Sequence, residues 1–141
     1  MIQINEVQPI ALGTWALGGW MWGGLKEEQQ SIRAIQEAVT QGMNGIDTAP
    51  IYGQGDSELL VGKALKALNR EQVYLMTKFG MRWDQQQGTL AMHSKNNKGE
   101  AIDVYKHASP ASIRFELEQS LLRLQTDYID LYQIHWPDIT T

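Results

Sequence analysis

The sequence predicts an α/β fold of βαβαβαβ order, with a parallel sheet that is either open or the first half of a (β/α)8 barrel. Three observations predict it. Short apolar runs alternate with amphipathic stretches of helical length, a pattern that favours parallel strands joined by right-handed crossovers. Only four such strands are legible in 141 residues, whereas a closed eight-stranded barrel takes ~250. Polar residues able to do chemistry stand at or just beyond the carboxyl ends of those strands, the rim where active sites of parallel α/β folds collect. A four-stranded open sheet is the other solution with this element order.

The elements follow in chain order. Residues 10–13 are short, apolar and end at a glycine, and read as a strand. Residues 26–41 read as a helix with Ile32, Ile35 and Val39 at helical spacing, and Gly42 can end it in the left-handed conformation. Residues 45–48 form a second short strand. Asp56 and Ser57 offer capping oxygens and Glu58 suits the positive end of the dipole of a helix running to Leu68, with Val61, Leu65 and Leu68 on one face. The run 73–78, VYLMTK, is β-branched and aromatic enough for a third strand. Ser109 and Pro110 suit the N-cap and first turn of a helix with Ile113, Leu117, Leu121 and Leu124 on one stripe. Residues 128–135, YIDLYQIH, are the fourth strand. Between the third strand and its helix, residues 79–108 read as a long polar loop, mobile in the absence of ligand.

Composition excludes several partners. A net charge of -4 gives no electrostatic reason to expect nucleic acid or an anionic membrane. There is no cysteine, so disulfides and thiolate metal sites are excluded, which fits a reducing cytoplasm as the expected location. The opening MIQINEVQPI has neither the basic n-region nor the apolar h-region of a signal peptide. No run approaches the ~20 apolar residues that span a bilayer. His93 and His107 fall in the polar loop without a metal-ligand pattern; they read as solvated, and no metal site is expected. The methionines read as gap-filling core.

Four side chains carry the candidate chemistry. Asp47 ends the second strand, Tyr52 lies five residues on, Lys78 ends the third strand and His135 the fourth. Strand alternation puts Tyr74, Met76 and Lys78 on one face, as it does Ile129, Leu131, Gln133 and His135. A free phenol has pKa ~10 and is a poor acid at neutral pH; a lysine cation beside it stabilises the phenolate. Asp47 can hold Lys78 charged and in place. His135 can donate a hydrogen bond to a carbonyl oxygen, and Tyr52 can protonate that oxygen as it becomes an alkoxide, a step typically worth ~10²–10⁴-fold. A carbonyl carbon also needs a hydride, which no side chain supplies, so the cluster implies a nicotinamide cofactor. Taken singly, each residue has an ordinary role: Asp47 a loop cap, Tyr52 a packing aromatic, Lys78 a rim cation, His135 a structural ring beside Trp136. Their joint occurrence at consecutive strand ends favours catalysis.

The runs GMNGIDTAPIYGQGDSELLVGKAL, TKFG and LQTDYIDLYQIHWPD resemble signature regions of the aldo-keto reductase superfamily. The opening LGTWALGGWMWGG resembles the bacterial general-stress subgroup. The resemblance implies a (β/α)8 barrel that uses NADP(H) to reduce aldehydes and ketones, with Asp47, Tyr52, Lys78 and His135 as its catalytic tetrad. It implies that the backbone at Gly13, Thr14 and Trp15, with Asp47, meets the nicotinamide, and that Trp22 and Trp136 line the substrate pocket. The family's grip on the nicotinamide amide and on the phosphates lies outside these runs, and GQGDSE is not a G-x-G-x-x-G loop. Residues 1–141 are therefore expected to be the N-terminal half of one barrel domain with its C-terminal half absent. Alone they are expected to be inactive and to associate through open half-barrel edges. Two other functions fit the same pattern: a binding module like the potassium-channel β-subunits, and an aldolase using Lys78 as a Schiff base.

Overall fold

A computed structural model describes residues 3–139. In chain order the elements are β1 (Ala11–Gly13), α1 (Glu28–Thr40), β2 (Gly45–Asp47), α2 (Asp56–Leu65), β3 (Tyr74–Phe79), β4 (Met81–Arg82), β5 (Thr89–Lys95), β6 (Ala101–Lys106), α3 (Pro110–Leu124) and β7 (Leu131–Ile134). The main sheet is parallel throughout, in the order β1-β2-β3-β7, as the crossover pattern requires.

Leu12, Ile46 and Leu75 stand in register across the first three strands. They face Ile35 of α1 and Leu60, Val61, Ala64 and Leu65 of α2, and Leu124 of α3 closes the same cluster. Full burial of each large aliphatic side chain contributes about 1.5–3 kcal/mol, so this layer fixes the helices on one face. Alternation then turns Asp47, Met76 and Lys78 to the other face.

The helix ends show where local chemistry was and was not legible. Gly42 leaves α1 at φ +99°, as expected. Ser109 caps α3, its hydroxyl accepting from the Ser112 N–H, with Pro110 in the first turn. The cap of α2 differs from expectation: it is Gly55, at φ +100°, and Asp56 and Ser57 lie inside the first turn. The chain enters α2 through three consecutive left-handed residues, Gly53, Gln54 and Gly55, and the Ser57 hydroxyl is taken by the strand ends. It donates to the Thr14 carbonyl at 3.0 Å and contacts the Thr14 and Thr48 hydroxyls at 2.7 and 3.0 Å.

The buried stripe of α3 is also not the aliphatic one expected. Ser112, Glu116, Ser120 and Leu124 are buried, while Ile113, Leu117 and Leu121 are half-buried. The polar stripe is tolerated because it is bonded: Glu116 accepts from the Gly80 N–H at 3.0 Å and from Ser112 at 3.1 Å, and Arg82 donates to Ser112 at 2.7 Å. The strand expected over 128–135 pairs only as Leu131–Ile134. Before it, the Asp130 N–H donates to the Leu75 carbonyl, while its carboxylate accepts from the Leu75 N–H and the Arg70 guanidinium.

The largest correction concerns residues 79–108. They are not an irregular loop: they fold into a three-stranded antiparallel sheet, order β4-β6-β5. Ile102 and Val104 alternate with polar residues along β6, and Val104 is fully buried against Trp20, Ala49, Ile51 and Met81. The turn between β5 and β6 is held by Asn96, whose side-chain oxygen accepts from the N–H groups of Lys98 and Glu100. His107 is buried, not solvated, with its Nε2 3.0 Å from the Ser109 hydroxyl. His93 is exposed but pairs with Asp103 at 2.7 Å.

Candidate active site

Three strand ends and one loop converge at the carboxyl rim of the main sheet. Lys78 Nζ lies 2.9 and 2.8 Å from the two carboxylate oxygens of Asp47, 2.9 Å from the Thr48 carbonyl and 3.2 Å from the Tyr52 hydroxyl. Register explains the first pair. Asp47 is opposite Met76, two residues before Lys78 on the same face, so the long lysine side chain reaches across to it.

Tyr52 is placed by close backbone packing. A Cβ at Gly18 would stand 2.7 Å from the Tyr52 carbonyl oxygen, and one at Gly53 would strike the Gly18 carbonyl. Both glycines allow the β1–α1 loop to lie against the Tyr52 loop. The Trp15 ring stacks on Tyr52 at 5.8 Å between centroids, and the Lys78 ammonium lies 4.9 Å from the centre of the Tyr52 ring.

His135 follows β7, its N–H bonded to the Phe79 carbonyl. Its ring meets Tyr52 edge-on at 5.6 Å between centroids. Burial, with the Lys78 cation adding and Asp47 partly opposing, pushes its pKa down to about 4. The imidazole is therefore neutral at pH 7, with one N–H to donate and no charge to repel Lys78.

A cavity of about 310 Å³ opens beside Tyr52 and His135. Trp15, Trp20 and Trp136 supply aromatic walls, and Met21, Ile51, Met81 and Met92 the remainder. Trp136 is among the lining residues. Trp22 is not: it lies outside the cavity, 52% exposed, and meets Trp15 edge-on at 5.8 Å. Positive φ at Gly19, Met21, Gly23 and Gly24 folds the run 19–24 into consecutive turns, which send Trp20 inward and Trp22 outward. A larger depression, about 580 Å³, lies around Asn44, Asn69 and Gln72 at the amino ends of β2 and β3, away from the polar cluster.

The proposed cofactor contacts separate in the same way. Gly13 is exposed at the end of β1, opposite Asp47, and a Cβ there would meet nothing within 4 Å. Trp15 is 38% exposed. Thr14 is fully buried; its N–H and hydroxyl reach the Asp47 carbonyl and its own carbonyl accepts from Leu17, Gly18 and Ser57. It braces the loop and has no free polar group to offer a ligand. Sequence reasoning left Trp20 open between core, pocket and interface and missed Met21, Ile51, Met81 and Met92, since residues scattered over four segments share no spacing; it also missed the Thr48 carbonyl, which carries no side-chain signature.

Lys78 thus bridges the strand-end Asp47 to Tyr52 in its loop, with His135 edge-on to Tyr52. The match to the Aldo/keto reductase family spans residues 9–141. The chain belongs to that family. It is 51% identical over 134 residues to the aldo-keto reductase YhdN of Bacillus subtilis, with 94% of this chain and 35% of that protein covered. It is 47% identical over 131 residues to the NADH-specific methylglyoxal reductase of Escherichia coli, with 92% and 38% covered. Its fold superposes on a glycerol dehydrogenase of Gluconobacter oxydans with TM-score 0.75 and 43% identity, over 96% of this chain and 37% of that one. The chain thus spans about a third to two-fifths of the length of these aldo-keto reductases, and its four parallel strands with their helices are part of a (β/α)8 barrel. No helix among the described residues is long and apolar enough to cross a membrane.

Proposed function

We propose that these residues carry the catalytic tetrad of an enzyme that reduces aldehydes or ketones to alcohols with NADP(H), and that Tyr52 is the proton donor. One observation carries the reading: a single ammonium, Lys78 Nζ, contacts both oxygens of Asp47 and the hydroxyl of Tyr52, which lines an apolar cavity. The cation favours the phenolate that remains after proton transfer, and Asp47 holds the cation in place. The neutral His135 ring, edge-on to Tyr52, donates to the carbonyl oxygen and orients it. The three tryptophans and the methionines exclude water from the reacting carbonyl.

The residues present fit a nicotinamide at this rim. Gly13 leaves open space beside Asp47 where a side chain would otherwise stand, and Trp15 presents a flat, partly exposed ring. When bound, the nicotinamide supplies the hydride that side chains lack. An E. coli relative is NADH-specific, so the preference for the phosphorylated nucleotide is the finer part of the proposal. Schiff-base chemistry at Lys78 is disfavoured, because an amine engaged with two carboxylate oxygens, a carbonyl and a phenol has no lone pair free to attack.

In the intact polypeptide that contains these residues, Tyr52→Phe is expected to lower kcat/KM for aldehyde reduction by ~10²–10⁴-fold. Nucleotide affinity should stay close to that of the parent, because the hydroxyl acts on the substrate oxygen. Steady-state kinetics with a fluorescence titration of NADPH check both halves. Near-parental turnover would remove Tyr52 as the donor.

A further inference from the structure

We propose that the three-stranded sheet inserted between β3 and α3 is the specificity wall of the pocket, and that Met92 sets the size of the apolar substituent a carbonyl substrate can carry. The proposal rests on the reductase reading of the same site. The tetrad is built by the barrel strands and the Tyr52 loop, but one side of the cavity is not. Met81 comes from β4 and Met92 from β5, and both line it.

This sheet is held against the catalytic loops by identifiable bonds. The Trp20 indole N–H donates to the Ser94 hydroxyl at 3.2 Å and to the Lys95 carbonyl at 3.1 Å. At the tip, the Asn97 amide donates to the Gly18 carbonyl at 2.8 Å and to Asp56 at 3.0 Å. Val104, fully buried, packs from behind. The wall is thus fixed to the same two loops that carry Trp15 and Tyr52, and its position relative to the reacting carbonyl is set.

The lining defines the ligand class. Among the described residues, every cavity-lining group apart from Tyr52 and His135 is aromatic, aliphatic or a thioether. Such a surface leaves hydroxyl or charged substituents without partners and favours an aryl or alkyl group. Met92 is half-buried, unbranched, and comes from an insert that does no catalytic work. Its side chain can change size without moving the tetrad, and a methylene more or less in such a pocket shifts discrimination ~10–200-fold.

The test uses the intact polypeptide with NADPH and two aldehydes, butanal and 2-naphthaldehyde. Met92→Ala is expected to raise the kcat/KM ratio of 2-naphthaldehyde to butanal by ~10-fold or more, and Met92→Trp to lower it by a similar factor. An unchanged ratio in both variants overturns the proposal, and so does an unchanged ratio in Met92→Ala if the bulkier variant does not fold. If the parent reduces neither aldehyde, the reductase reading fails and the wall is judged by binding alone. Quenching of tryptophan fluorescence by 2-naphthaldehyde should then give a tighter Kd in Met92→Ala than in the parent; equal values overturn the wall.

Discussion

His135 shows how burial and a neighbouring charge select one protonation state. An unperturbed imidazole titrates at ~6.5; here burial and the Lys78 cation bring the value to about 4. Above pH ~6.5 the ring is neutral in both folded and unfolded chains, so it adds no pH dependence. As pH falls below that, the unfolded chain takes up a proton that the folded chain refuses, and stability declines until about pH 4, below which this contribution is flat. NMR of the ring protons in the intact polypeptide should show an inflection near 4. An inflection near 6.5 would mean that the ring is solvated and that its place beside Lys78 is wrong. Asp47, Lys78 and His135 were legible because strand periodicity assigns faces and parallel topology assigns the rim, whereas Tyr52, in a loop, was singled out by its place just beyond Asp47 and by the family resemblance. Trp22 was misplaced because the choice between Trp20 and Trp22 depends on left-handed turns at Gly19, Met21, Gly23 and Gly24, and four glycines in a run do not reveal which of them turn.

At the scale of elements, α2 and α3 are joined by a charge pair that periodicity does not reveal. Glu58 is fully buried; one carboxylate oxygen accepts from Arg123 at 2.7 Å and the other from the Thr77 hydroxyl at 2.7 Å. A sequence reading gives Glu58 to the helix dipole and does not single out Arg123, because nothing in either helix alone shows that they meet. Their meeting also explains Gly62, where a Cβ would strike the Arg123 carbonyl and Leu124. Arg123→Met leaves the Glu58 carboxylate buried beside a neutral side chain, and is expected to cost about 3–5 kcal/mol in urea unfolding. Adding Glu58→Leu should recover most of that loss, short of the Thr77 bond. A single variant as stable as the parent would show that Glu58 is hydrated. The sheet formed by β4, β5 and β6 was the element least legible. His93 and Lys95 are exposed on β5, and the connections are rich in Gln, Asn and Gly; the two-residue period breaks at a bulge between Leu90 and Met92, and its one fully buried apolar residue, Val104, packs on residues distant in sequence.

The molecule as a whole pairs a well-filled helix side with an uncovered strand side. Among the described residues β1 and β7 each have one sheet partner, leaving a row of backbone donors and acceptors on either edge. Ile35, Ile46, Val61 and Leu75 are fully buried on the helix side, but Leu131, Trp136, Trp15 and Trp22 are between 37% and 52% exposed. Parallel sheets are stable when both faces are covered, and unpaired strand edges recruit other chains. A polypeptide limited to these 141 residues is therefore expected to self-associate, with two copies pairing edges and covering each other's open face, or to be poorly soluble. It is also expected to show no saturable NADPH binding, since its one candidate phosphate loop, GQGDSE, lacks the required glycine spacing and folds instead into the left-handed entry to α2. Light scattering gives the mass and a fluorescence titration the binding. A monomer that binds NADPH tightly and reduces an aldehyde would mean that the rim around Asp47, Lys78 and Gly13 grips the whole nucleotide and that the exposed edges are protected by means other than pairing.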